Sequence, residues 1–204
     1  MSLLFAARVQ LLAALLVLIG CSRRTQAPTD PARIYPYIVP GSYPMGSSDL
    51  DLGHGLHVSL VEDVNGLVRN VSDAQLAALH LSPAEARQKA QENLDALVKA
   101  GAVKLEVFRD GPMGRPFIGG GGHWAAASAM LLPGLRKLAS NALHSENLVA
   151  SIPHREALLL FAKGDVAYRD AMRALVREKE SDRKKPLTFG LFELTDHGPT
   201  PLVE

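Results

Sequence analysis

A single cysteine stands in the 204 residues, at position 21, where an apolar run stops. A domain built after it has no disulfide to staple it and no thiolate set for a structural metal. Burial of apolar side chains must therefore supply its stability. The composition allows this, with 47% hydrophobic and 21% charged residues, the range of an ordinary globular protein. The length suits one domain with additional segments.

Residues 1–20, MSLLFAARVQLLAALLVLIG, carry one charge, Arg8, and an apolar stretch from Val9 to Ile19 broken only by Gln10. That stretch is shorter than the ~20 apolar residues of a membrane-spanning helix and suits the core of a secretory signal peptide. Leu18-Ile19-Gly20-Cys21 resembles a bacterial lipobox. By that resemblance residues 1–20 are a lipoprotein signal peptide and Cys21 takes a diacylglyceryl group, with a further acyl chain such as palmitate on the new amino terminus. The plainer alternative is a signal peptide with a chance cysteine. Each buried methylene of such an anchor contributes ~0.8 kcal/mol, and two or more chains hold stably. The expected partners are thus the membrane, through Cys21, and an envelope protein. The expected place is the bacterial cell envelope. In a cell with an outer membrane, Ser22 rather than aspartate after the cysteine resembles the pattern sorted there, facing the periplasm. Loss of Arg8 with the leader turns 22 Lys plus Arg against 21 Asp plus Glu into an even balance. A nucleic-acid binder needs a basic excess, so no nucleic-acid partner is expected.

Residues 21–53 read as a lipid-anchored, proline-rich linker, because Pro28, Pro31, Pro36, Pro40 and Pro44 remove backbone donors and favour extended geometry. At about 3.1 Å per residue it reaches roughly 100 Å. Tyr35, Tyr37 and Tyr43 sit oddly in a tether; docking on the folded domain is favoured over a role as peptide bait. Residues 54–204 read as a single α+β domain. LHVSLVEDV, Asn65-Gly66 and LVRNV spell a β-hairpin. Ser72 and Ser82 open capping boxes, the second with Pro83 at the first helical position. Ala86, Ala90, Leu94 and Leu97 share a face of that second helix, which Gly101 ends. A strand is expected over 103–109, and a return through Arg115 to Ile118. A helix from Trp124 follows, interrupted by Pro133, then strands over 147–152 and 157–161. A helix capped by Asp165 runs to about Glu180, and a strand over 189–195 precedes a frayed tail. Hairpins mixed with about three to four helices, without strict alternation, point to a mainly antiparallel sheet.

Several of these pieces together resemble the YtpQ-like bacterial family of unknown function. They are Ala90-Gln91-Glu92-Asn93-Leu94, then Leu131-Leu132-Pro133, then Pro153-His154-Arg155-Glu156 running into Ala157-Leu158-Leu159-Leu160-Phe161, and finally Pro186-Leu187 with Phe192. Their order and spacing from about His54 to Phe192 carry the likeness. His154 and Glu156 stand where the family's turn has a small residue and aspartate, and its familiar members carry no lipobox. The resemblance implies a fold and a domain boundary, and it supplies no reaction.

The densest chemistry lies in two places. RPFIGGGGHW lacks the lysine and hydroxyl of a phosphate loop, and Trp124 stands where a dinucleotide fingerprint needs its third glycine. No cofactor is expected. Gly121, Gly122 and His123 remain an anion-binding candidate at a helix start, although a flexible bend entering the Trp124 helix is favoured. In the corner at 153–156, Arg155 can grip a carboxylate or phosphate, with Glu156 or His154 as acid or base. The structural alternative is an arginine that locks the corner. No metal set is expected: His54 and His57 fall on opposite faces of a strand. Ser128, in AAASAM, lacks the glycines of a nucleophile elbow. The reading that follows is a tethered binding or assembly module. The alternative is a hydrolase acting on an anionic envelope substrate through Arg155 with Glu156 or His154.

Overall fold

The computed structural model describes residues 28–43, 50–182 and 186–203; the signal peptide and Cys21 lie outside them. The chain forms an α+β fold of four α-helices and two antiparallel sheets. The first sheet is organised around β3 (Leu56–Val64). On one side β3 pairs with β1 (Ile34–Pro40), from Ile34 opposite Glu62 to Pro40 opposite Leu56. Its other side is shared by β2 (Leu50–Gly53) and β4 (Leu67–Asn70). Asn65 and Gly66 both take positive φ in the β3–β4 turn, and Gly66 donates to the Asp63 carboxylate at 2.7 Å. This is the two-residue hairpin geometry that matches strand twist.

The linker boundary at His54 is therefore displaced toward the amino terminus. Ile34-Tyr35-Pro36-Tyr37-Ile38-Val39-Pro40 alternates β-branched and aromatic residues with prolines, and it buries Ile34, Tyr37, Ile38 and Val39. The prolines are tolerated because β1 is an edge strand, with one neighbour only. Two polar groups fasten it. Glu62, 2% exposed, accepts from the Asp30 amide at 2.8 Å and pairs with Arg69. Asn93 donates to the carbonyls of Pro31 and Ile34 at 2.9 and 2.8 Å.

Helix α1 (Asp73–Ala78) and helix α2 (Pro83–Lys99) both begin with complete capping boxes, at Ser72–Gln75 and Ser82–Glu85. Helix α2 lays Ala86 and Ala90 on Ile34 and Leu60 of the first sheet and on Val71 just after β4, and Leu94 enters the main core.

The second sheet takes β5 (Lys104–Phe108), β6 (Phe117–Gly121), β7 (Leu148–Ser151), β8 (Leu158–Ala162), β9 (Leu191–Thr195) and β10 (Gly198–Pro201). Their order across it is β10-β9-β7-β8-β6-β5. Period-two alternation divides its side chains. Leu148, Ala150, Leu158, Leu160, Phe192 and Leu194 face the core shared with the first sheet, over which α3 (Pro133–Leu143) packs. Val149, Phe161 and Leu191 face Tyr168 and Met172 of α4 (Val166–Glu180). Asp165 caps α4 by accepting from the Tyr168 amide at 2.8 Å.

Three further expectations are corrected. The glycine run is strand rather than bend: Gly119, Gly120 and Gly121 belong to β6, and only Gly122 has a positive φ, +81°. A Cβ at Gly119 would sit 2.8 Å from the Phe108 ring, and one at Gly120 would sit 3.0 Å from Leu105 and 3.2 Å from Leu158. Glycine is there for close approach. No α-helix begins at Trp124; a 3-10 turn spans Ala127–Leu131, α3 starts at Pro133, and Leu138 is 48% exposed. The tail beyond 195 is not frayed, since β10 completes the sheet edge and Leu202 is buried.

If β1 is part of the core, Ile38→Ala should lower the unfolding free energy by about 2–5 kcal/mol. Urea denaturation measures it. An unchanged midpoint would return the segment to the status of a tether.

Candidate functional site

Five elements converge on one cleft of about 700 Å³. Strand β1 contributes Tyr37, the turn after it Tyr43, and the β3–β4 hairpin Gly66, Leu67 and Val68. The end of β6 brings Gly122, His123 and Trp124, and the β7–β8 corner brings Arg155 and Glu156. The two stretches singled out in the sequence thus meet, although they lie thirty residues apart. The volume is that of a small-molecule site.

The corner is held from several directions. The Arg155 carbonyl accepts from the Ala127 amide at 3.1 Å, the His154 carbonyl from Ala157 at 3.2 Å, and the Pro153 carbonyl from Leu187 at 2.8 Å. His154 leaves the cleft. It is 8% exposed; its Nδ1 accepts from the Glu156 amide at 3.2 Å, so its Nε2–H donates to Glu180 of α4 at 2.8 Å. His154 is a brace for the corner, and as the acid or base beside Arg155 it is excluded by direction.

Arg155 points the other way. Its guanidinium lies 4.9 Å from the Tyr37 ring centroid and 5.1 Å from that of Tyr43, and NH1 donates to the Tyr37 hydroxyl at 3.1 Å. Cation–π contacts of this kind contribute about 0.5–2 kcal/mol each. Nε is buried and has no hydrogen-bond partner among the described residues. Among the described residues no carboxylate forms an ion pair with Arg155. Glu156, exposed, stands at the rim.

Trp124 extends the aromatic wall, meeting Tyr35 and Tyr37 edge-on at 5.5 and 5.6 Å. His123 tilts against it at 5.0 Å. The Nδ1 of His123 accepts from the Ala125 amide at 3.2 Å, which places the proton of the neutral ring on Nε2. Desolvation lowers the His123 pKa below 6.5, against a smaller opposing pull from Asp63. Burial likewise raises the Tyr37 pKa above 10.0, with the Arg155 charge and hydrogen bond working against it. At neutral pH the cleft therefore holds a neutral imidazole, a neutral phenol and one fixed cation.

Of the anion candidate, Gly122 and His123 line the cleft, and Gly121 remains in the β6 ladder beside the Glu156 carbonyl. Tyr37, Tyr43 and Trp124 were absent from the sequence-derived site. The signal for the two tyrosines was the unusual density of tyrosine in a proline-rich segment, and Trp124 directly follows the glycine stretch and His123. Ser128 is 1% exposed and accepts from the Ile38 amide at 3.4 Å, so it is a structural hydroxyl. His54 leaves the strand at positive φ, and its Nε2 bonds the Leu191 carbonyl at 2.9 Å. Among the described residues no group of three His, Cys, Asp or Glu is placed to hold a metal. The chain matches no family model, no curated protein and no solved structure.

Folding keeps His123 neutral, so its contribution to stability is complete above the unfolded-state pKa. That contribution declines as the pH falls from there through the folded-state value. An NMR titration should place the His123 midpoint below 6.5, and His123→Gln should flatten the acid limb of the stability profile. A midpoint at or above 6.5 would contradict the burial.

Proposed function

We propose that this chain is a lipid-anchored binding module of the bacterial cell envelope, whose cleft receives an anionic group of its ligand or of an envelope protein partner. The observation that carries the reading is Arg155, a guanidinium fixed between Tyr37 and Tyr43 and free of any described carboxylate. A charge so placed has been partly removed from water without an ionic partner, which is costly unless something else supplies the counter-charge. Leu18-Ile19-Gly20-Cys21 supports the anchor, and Ser22 supports the outer membrane where the cell has one. The motifs from Ala90 to Phe192 support kinship with the YtpQ-like family.

Glu156 in the same cleft sustains the hydrolase alternative. There Arg155 grips the anionic group and Glu156 serves as acid or base. His154, turned to Glu180, has no part in it.

Two measurements test the proposal. Cys21→Ser should move the protein from the membrane to the soluble fraction and abolish incorporation of labelled palmitate. An unlabelled wild type that stays on the membrane in both forms would sink the anchor. Arg155→Met keeps aliphatic length between the two rings and removes the charge and donors. It should abolish the saturable response of Trp124 fluorescence to organic anions while the melting temperature stays close to that of the wild type. Release of a hydrolysed product by the wild type, lost in Glu156→Gln, would favour the enzyme.

A further inference from the structure

The binding reading leaves open which anion the cleft takes. Arg155, Tyr37 and His123 bring hydrogen-bond donors to it. Arg155 offers NH2, which has no partner among the described residues, while its Nε is buried. The Tyr37 hydroxyl oxygen already accepts from Arg155 NH1, so its own proton is left to donate outward. His123 spends Nδ1 on the Ala125 amide and presents Nε2–H. Among the described residues the one side-chain acceptor on the lining besides the tyrosine hydroxyls is the Glu156 carboxylate, exposed at the rim. A ligand that only accepts hydrogen bonds fits this set; one that must donate does not.

Charge narrows the class further. Among the described residues Arg155 is the single cation lining the cleft. Two carboxylates bear on it: Glu156 at the rim, whose field is felt at Tyr37, and Asp63, whose field is felt at His123. A second negative charge on the ligand would meet repulsion from both with no second cation to offset it. A guanidinium also matches the planar fork of a carboxylate better than it matches a lone point charge. The remaining walls, Trp124, Tyr43, Leu67 and Val68, are aromatic or aliphatic.

Resting on the binding reading above, we infer that the cleft recognises a free monocarboxylate carried on an apolar or planar body, with Arg155, Tyr37 and His123 as its donors. Two sources share this chemistry: a small organic acid, and the carboxyl terminus of a peptide.

Trp124 is the only tryptophan of the chain and lines the cleft, so its fluorescence reports occupancy directly. The full chain in detergent micelles is titrated with N-acetyl-L-phenylalanine, with the corresponding amide, and with phenyl phosphate at a pH where the latter is a dianion. The acid is expected to bind saturably, with the amide and the phosphate at least about tenfold weaker, the cost of losing one charge-assisted contact. Tyr37→Phe keeps the ring under Arg155 and should weaken the acid about tenfold, with thermal unfolding confirming that the fold is intact. Acetyl-Gly-Gly-Phe with a free or an amidated terminus separates the sources. Binding of the free tripeptide more tightly than the small acid indicates a peptide end, and the reverse indicates a small acid. Tighter, Arg155-dependent binding of phenyl phosphate would overturn the carboxylate inference and leave the anion-binding cleft standing. Equal binding of acid and amide would overturn it as well. Absence of an Arg155-dependent response to all the probes would bring down both.

Discussion

Small side chains form a joint between the two sheets inside the core they share, where Ala125, Ala127 and Ala129 pack. Ala125, Ala126, Ala127, Ser128 and Ala129 are all buried, and larger residues there would push the sheets apart. Within this joint the Ala127 amide donates to the Arg155 carbonyl, and the Ile38 amide donates to the Ser128 hydroxyl. One short segment thereby fixes the β7–β8 corner and strand β1 at once. Tyr37 is the neighbour of Ile38, and Trp124 is the neighbour of Ala125. Two walls of the cleft depend on that joint, because Arg155 lies at one of its bonds and Tyr37 beside the other.

The choice of arginine at 155 follows from the same geometry. A lysine ammonium is a compact, strongly hydrated charge, and burying it between two phenol rings would strip water it does not readily release. The flat guanidinium lies on both rings and still presents nitrogen donors at its edge. The brace behind it is equally specific. His154 accepts from the Glu156 amide at Nδ1 and meets Glu180 at Nε2, so the end of α4 helps set the direction of the corner. His123 repeats the device at the opposite wall, where its Nδ1 bonds the Ala125 amide. Two imidazoles with a backbone amide two residues on as the Nδ1 partner thus act differently. One turns its free edge to a helix and the other turns it to the cleft.

Local chemistry was legible in the sequence, and tertiary consequences were not. Asn65-Gly66, the boxes at Ser72 and Ser82, and the cap at Asp165 each satisfy backbone groups within a few residues, so their patterns declare themselves. Strand β1 escaped because its prolines suggest a tether until one knows that it lies at a sheet edge. The glycines of β6 escaped because the reason for them is the ring of Phe108 and the side chains of Leu105 and Leu158 on neighbouring strands. The resemblance marked the segment Pro153–Glu156, but nothing local could show that His154 and Arg155 point to opposite sides. That alternation became visible only once Glu180 and Tyr37 were in place on either side.

The displaced boundary changes the mechanics of the proposed anchor. A free linker from Cys21 to Gly53 would let the domain range roughly 100 Å from the bilayer. Thr29 is instead buried and accepts from Gln75 at 2.7 Å, and Ile34 begins the sheet. The eight peptide steps from Cys21 to Thr29 span at most about 29 Å. On the anchored reading, the domain would then be held within about 29 Å of the membrane surface, under twice the radius of gyration of about 17 Å for a chain of this size. On that same reading, a short tether would raise the effective concentration of whatever shares the surface. The cleft needs only modest intrinsic affinity under that arrangement, which agrees with a site built from one cation and two neutral donors.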